Sequence, residues 1–422
     1  VGSRISSAQE LTTPPVTTRV MEKPSPPQFV LVSSYTEKMG HVGSASVPQS
    51  TGITILRRVP PPEGEGFGEL VPHATFEACA NPSYMCANSA GTHVYVVSEK
   101  GGSNETGNLL LSYRLDGDAG SLALLGTAET GGAAACYVQV SPDQSTLAVA
   151  TYVGGSVALF ALGADGCARQ RLDLKQHSGA SQANADRQEA AHAHMAYFAP
   201  PSGRHLLVPD LGLDRVLSYE VVRSAADGTA SLSDTAKGLV LPPGSGPRHL
   251  AFHPSGRRAY VLNELLSTIV VSSYDAETGT LEAVGGPVST VPPGVPVGTE
   301  GKSYGAAIRI SKDGCFLYAS NRGHDSVAVF GVAADGALSP PTPIQWIRST
   351  TGEVADALPA QWPPVGCPRD FALAGEGDRW VIVANQDGDT VSVFERSAST
   401  GKLSPTGVQV ACPAPVCVLP LF

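Results

Sequence analysis

Apolar and polar residues alternate with period two through most of this chain, in short runs broken by Gly, Pro, Asn, Asp and Ser. The clearest instance runs from Pro247 to Leu281, PRHLAFHPSGRRAYVLNELLSTIVVSSYDAETGTL. Arg248 to His253 reads as a strand and Pro-Ser-Gly as a turn. Ala259 to Asn263 reads as a second strand and Thr268 to Tyr274 as a third. A Glu-Thr-Gly turn then leads to a fourth that starts near Leu281. Four short antiparallel strands cannot bury both faces of their sheet alone, so the module should recur.

It does recur. The second strand, four β-forming residues followed by a small polar one, is found in VLVSS ending at Ser34, VYVVS at Ser98, LAVAT at Thr151, LLVPD at Asp210, AYVLN at Asn263, LYASN at Asn321 and VIVAN at Asn385. The intervals are 64, 53, 59, 53, 58 and 64 residues. Third strands (SVALFAL, RVLSYEV, TIVVSSY, SVAVFGV, TVSVFER) and closing turns (GDAGSL, ETGTL, ADGAL, STGKL) keep the same order. Seven copies of a four-stranded unit predict an all-β, seven-bladed β-propeller over residues 29–422. An array of separate sandwiches would not keep the strand order so constant. The apolar run from Gly407 to Phe422 is expected to return to the first blade and close the ring. Residues 1–28, rich in Ser, Thr and Pro, read as a disordered tail. Two long polar connections, Thr36 to Gly52 and Cys167 to Ala191, are candidate functional loops.

Composition agrees with many turns and few helices: 46 Gly, 34 Pro and only 16% charged residues. A net charge of −10 excludes a general nucleic-acid binder, which needs a basic face. An acidic protein that binds an anion needs a local cluster of Arg or Lys to overcome its own field. The eight cysteines form no CxxC pair and no zinc spacing, and read as reduced thiols of a cytoplasmic protein. No apolar run reaches the roughly 18 residues that span a membrane, and the N-terminus lacks the pattern of a secretory signal.

Antiparallel pairing puts the start of each first strand and the end of each second strand at one rim. First-strand starts offer Tyr137, His192, His194, Arg248, His249, Gly305, Arg369 and Asp370. Second-strand ends offer Tyr35, Glu99, Tyr152, Asp210, Asn263, Glu264, Asn321, Arg322, Asn385 and Gln386. A rim with three arginines on an acidic protein suits a small carboxylate or phosphate, which the planar guanidinium fork matches with two hydrogen bonds. The alternatives at single positions are structural. Asn263, Asn321 and Asn385 stand where a side chain caps a turn, and Arg369 has a carboxylate neighbour in Asp370. Arg248 and Glu264 come from one blade at one rim, as an ion pair or as an anion anchor beside a general base.

HAHMAYFAPPSGRHLLVPDLGLDRVLSYEV, GPRHLAFHPSGRRAYVLNELLSTIVV, IRISKDGCFLYASNRGHDSVAVF and CPRDFALAGEGDRWVIVANQDGDTVSVF resemble the seven-bladed lactonase family, which includes the propeller-type 6-phosphogluconolactonases and the fungal 3-carboxy-cis,cis-muconate cyclases. The resemblance covers about residues 29 to 422. It implies a catalytic set of His194, Arg248, Glu264 and Arg322, with Arg187 and Gln188 reaching the site from the loop before blade four. The rim reading adds His192, Asn263, Asn321, Arg369 and Asn385 as candidate substrate contacts. One position departs from the family pattern: Ala307 stands where an acidic residue is usual. As a lactonase, the protein would open an anionic sugar lactone. Arg248 and Arg322 would hold the phosphate or oxyanion, Glu264 would activate water and His194 would serve the leaving oxygen. As a cyclase, the same arginines would hold carboxylates. As a non-catalytic binding platform, the ring would have no need of this set. These readings require a small anionic lactone or carboxylate as partner and neither metal nor cofactor; a calcium site would need converging carboxylates on a rim that is instead rich in arginine.

Overall fold

The computed structural model describes residues 1–2, 28–38, 49–62, 64–101, 107–224, 229–298, 303–357 and 366–422. Nearly all of the expected tail and most of the 36–52 connection lie outside these residues.

Seven antiparallel sheets follow one another along the chain. Blade five is built from Pro247–Phe252, Arg258–Asn263, Thr268–Asp275 and Thr280–Ala283, with Val288–Ser289 continuing the fourth strand against the third. The second strands are buried almost throughout, because each lies mid-sheet with a neighbouring blade on both faces. Their β-branched and aromatic residues fit that two-sided burial. The apolar core is therefore a ring of inter-blade layers: one cluster joins residues of blades three, four and five, another those of blades one and seven. Tyrosines of the repeated second strand tie neighbours together. The hydroxyls of Tyr95, Tyr260 and Tyr318 each donate, at 2.8 Å, to the carbonyl of a closing-turn glycine one blade on: Gly166, Gly336 and Gly401. Between the first two strands of blade seven lies a short 3₁₀ turn, Glu376–Asp378.

The ring closes as expected, with narrower bounds. Pro415–Pro420 is the innermost strand of blade one and pairs antiparallel with Gln28–Ser34, Val30 opposite Pro420 and Ser33 opposite Cys417. Gly407 to Ala411, expected in that closing segment, instead completes the fourth strand of blade seven, Leu403–Ala411. The second correction concerns the connection from Cys167: Ala168–Gln176 is the fourth strand of blade three. An outermost strand faces water, so ARQRLDLKQ carries too many charges to read as a strand. The loop proper runs over 177–191.

Candidate active site

The first strands line the ring axis, and each carries an irregularity near its start. Pairing slips by one residue between Pro82 and Tyr84, Ala135 and Tyr137, Pro247 and His249, Gly305 and Ile308, and Pro368 and Asp370. The closing strand slips the same way, between Pro415 and Cys417. In blade four the HAHM segment, expected to start a strand, makes a single bridge, Ala193 to Asp210, before the short strand Tyr197–Phe198 opposite Leu206 and Leu207. Three residues there face two. An extra residue in a ladder is a β-bulge, which bends the strand and re-aims a side chain. Six bulge residues, Ser83, Cys136, His194, Arg248, Arg369 and Val416, all line one pocket. In blade six the slip falls on Ala306 and Ala307, and the Arg248 guanidinium donates to the Ala306 carbonyl.

A second ring of side chains comes from the residue that follows each second strand: Tyr35, Glu99, Tyr152, Leu211, Glu264 and Gln386, with Arg322 ending the second strand of blade six. Glu264 is the hub of one half of the site. Arg187 Nη2 donates to its Oε1 at 2.7 Å. Around Oε2 lie Arg322 Nη2 at 3.0 Å, Arg248 Nε at 3.1 Å and His194 Nε2 at 3.8 Å. The Arg248 contact is an ion pair by distance, since its Nε–H is not aligned on the oxygen as a hydrogen bond. Burial alone would raise the Glu264 carboxyl. Arg322, Arg187 and Arg248 outweigh it and hold the group well below its ordinary range. Burial, then the Arg248 charge, keeps both His194 and His249 neutral, well below the usual imidazole range. Arg248 is itself brought down to about 10 by burial and the nearby Arg322.

The other half gathers Glu99, Tyr35 and Arg369. The Tyr35 hydroxyl donates to Glu99 Oε2 at 2.8 Å, and Arg369 Nη2 lies 2.6 Å from the same hydroxyl and 4.0 Å from Glu99 Oε2. Beneath, Tyr84 and Tyr137 stack at 4.4 Å and meet the His249 ring edge-on. Arg309 Nη2 pairs with Asp370 Oδ1 at 2.8 Å and forms part of the same wall. The cavity above this floor is narrow, about 10 Å³, room for about one water molecule. Among the described residues no three His, Cys, Asp or Glu side chains are gathered as a metal ion would require.

His194, Arg248, Glu264 and Arg322 are thus brought together, with Arg187 reaching in from the 177–191 loop. Arg369 lines the opposite wall. The other candidate contacts are engaged within the protein. Asn263 reaches Thr268, Asn321 binds Thr290 and Ser326, and Asn385 binds Ser349 and Ser392; all three are fully buried and brace turns. Gln188 is also fully buried and straps the loop to Leu211 O and Asp214 Oδ1. His192 stacks at 4.4 Å behind Tyr152 and bonds its carbonyl. Sequence reasoning overlooked Ser83, Tyr84, Cys136, Arg309 and Val416. The available signal was the repeated Pro-Ser, Ala-Cys, Pro-Arg, Pro-Arg and Pro-Val start of the inner strands, one residue before the positions that alternation favours.

The family described as "Lactonase, 7-bladed beta-propeller" matches residues 29–420. Similar chains include the 6-phosphogluconolactonase of Bacillus subtilis, 29% identical over 80% of this chain and 86% of that protein. The periplasmic gluconolactonase of Pseudomonas aeruginosa superposes with a TM-score of 0.77 at 29% identity, covering 94% of this chain and 99% of that one. A protein from Lactobacillus plantarum superposes with a TM-score of 0.74 at 31% identity, covering 94% and 100%. With the family match extending over all seven blades and the axial pocket they enclose, this chain belongs to the seven-bladed β-propeller lactonase family.

Proposed function

We propose that the protein hydrolyses an anionic sugar lactone, with 6-phosphogluconolactone the substrate that fits best. One observation carries this reading. Around the pocket the guanidinium groups of Arg187, Arg248, Arg309, Arg322 and Arg369 face the carboxylates of Glu99, Glu264 and Asp370, an excess of two positive charges on a chain of net charge −10. A phosphate monoester carries about −1.5 to −2 at neutral pH and would complement that excess. Arg248 and Arg322 hold the phosphate or the oxyanion that forms when water adds to the lactone carbonyl. Neutral His194 hydrogen-bonds the leaving ring oxygen and orients it. Glu264, tied to three guanidinium groups and held well below the ordinary carboxyl range, is a weak base; its part is to fix the arginines. The eight cysteines are all unpaired, which supports a reducing compartment such as the cytoplasm.

The test is hydrolysis of 6-phosphogluconolactone, with the spontaneous rate subtracted, beside an assay of 3-carboxy-cis,cis-muconate. The wild type should accelerate lactone opening, with EDTA having no effect. Arg248→Ala should lower kcat/KM by about 100-fold or more, as for loss of one oxyanion donor. Acceleration of neither reaction would leave a binding platform as the better account. Turnover of the muconate alone would assign cyclisation.

A further inference from the structure

The position that holds Glu264 in blade five holds Glu99 in blade two. Each follows the second strand of its blade, and each donates its backbone N–H to the carbonyl two residues before the bulge, Glu264 to Gly246 and Glu99 to Asn81. The equivalent positions elsewhere carry Tyr35, Tyr152, Leu211, Arg322 and Gln386. The site therefore has two carboxylates at equivalent posts in different surroundings. Glu264 is shared by three guanidinium groups and stands behind Arg248. Glu99 lines the pocket itself, next to His194, Arg248 and Arg369. The only ion pair to Glu99 among the described residues is the long 4.0 Å contact to Arg369, whose nitrogen is 2.6 Å from the Tyr35 hydroxyl. Tyr35 fixes the carboxylate by donating to Oε2 at 2.8 Å.

We infer that Glu99, not Glu264, is the carboxylate that takes the proton from the attacking water. The inference rests on the lactonase reading. Glu99 accepts one proton as the water oxygen bonds to the lactone carbonyl carbon. The carbonyl electron pair moves onto its oxygen, facing Arg248. When that intermediate collapses, the bond from the carbonyl carbon to the ring oxygen breaks, and the ring oxygen receives the proton held by Glu99. The product is the open hydroxy acid, and the carboxylate is regenerated. Where two carboxylates sit near one substrate, roles divide by environment, and the one free of tight cation pairing is the proton carrier.

Steady-state kinetics with 6-phosphogluconolactone decide it. Glu99→Gln keeps the shape and the Tyr35 contact, and should lower kcat by about 100-fold or more with KM changed little, the usual size of a general-base contribution. In Glu99→Ala, sodium formate should restore turnover in a saturable way, because a small carboxylate can occupy the vacated space. A purely structural Glu99 would show no such rescue. Thermal unfolding of both variants accompanies the assay. If Glu99→Ala does not fold, the kcat-against-KM split of Glu99→Gln stands alone as the test. Glu99→Gln within threefold of wild-type kcat, or a folded Glu99→Ala that formate leaves inactive, overturns the inference and leaves the lactonase reading intact. A wild type that does not hydrolyse the lactone overturns that reading, and the inference with it.

Discussion

A buried charge is tolerated only where opposite charges converge on it, and Glu264 with its three arginines meets that condition. The two axial imidazoles meet the opposite one: they are buried beside Arg248 and stay neutral. This has a consequence for acid stability. In the unfolded chain His194 and His249 take up protons near pH 6.5, whereas in the fold they do so only well below it. The unfolded state therefore binds more protons as pH drops, and stability falls below about pH 6.5. His324, brought down to about 4 by burial, and His205 act in the same direction. The lowered Glu264 carboxyl also favours the fold at neutral pH, but its contribution is lost only below about pH 4.3, where the unfolded carboxyl begins to protonate. Urea midpoints should thus hold steady from about pH 8 to 7 and decline from about pH 6.5 to 5, with a shallower decline in His194→Gln/His249→Gln. An unchanged midpoint across that range would mean the imidazoles take up protons in the fold as they do in the unfolded chain.

Among the elements, the loop over 177–191 decides whether Arg187 reaches Glu264. It is laid against the turn after the second strand of blade four. Ser181 N donates to Gly212 O, Gln188 binds Leu211 O and Asp214, and His177 pairs with Asp210 at 2.6 Å. A Cβ on Gly212 would come 1.7 Å from the Ala190 carbonyl oxygen, a contact that only displacement of the loop can relieve. Gly212→Ala should destabilise the fold by about 1–3 kcal/mol, as overpacking does, and raise KM more than it lowers kcat; an unchanged KM would separate Arg187 from substrate binding. Much of this level was legible in the sequence. The second strands, the third strands and the closing turns have periodic apolar patterns with Gly or Asn at their ends. The fourth strand of blade three was not legible, because one edge and one face meet water and charges replace the alternation. The bulges left only the repeated Pro-Ser, Ala-Cys, Pro-Arg and Pro-Val starts of the inner strands as a trace; that the second residue of each is an extra one shows only when the partner strand is in register beside it.

In the whole molecule, closure makes the seven blades one cooperative body. Pro415–Pro420 is the only inner strand that blade one has, and Val418 N also donates to Asp370 Oδ2 beside the channel. Ending the chain at Cys412 should strip blade one of that strand, open the edge of Gln28–Ser34 and uncover part of the face of blade seven. The expected result is loss of the single cooperative unfolding transition and aggregation on heating; a truncated chain with a wild-type transition would show that closure is dispensable. The sequence alone determined the repeat, the number of blades, the closing role of the C-terminal segment and the identity of the rim set His194, Arg248, Glu264 and Arg322. Local alternation and turn chemistry encode each of these, and the resemblance named the set. Only the tertiary structure decided how the charges divide. Glu99 and Glu264 occupy equivalent posts in the repeat and differ by what surrounds them: three guanidinium groups, one from the same blade and two from elsewhere, around one, and a tyrosine hydroxyl and a distant arginine beside the other. Arg248 reaches Glu264 across the pairing of two strands of blade five, whereas Arg187, Arg322, Tyr35 and Arg369 come from other blades and loops and are set beside the carboxylates only by the packing of the ring.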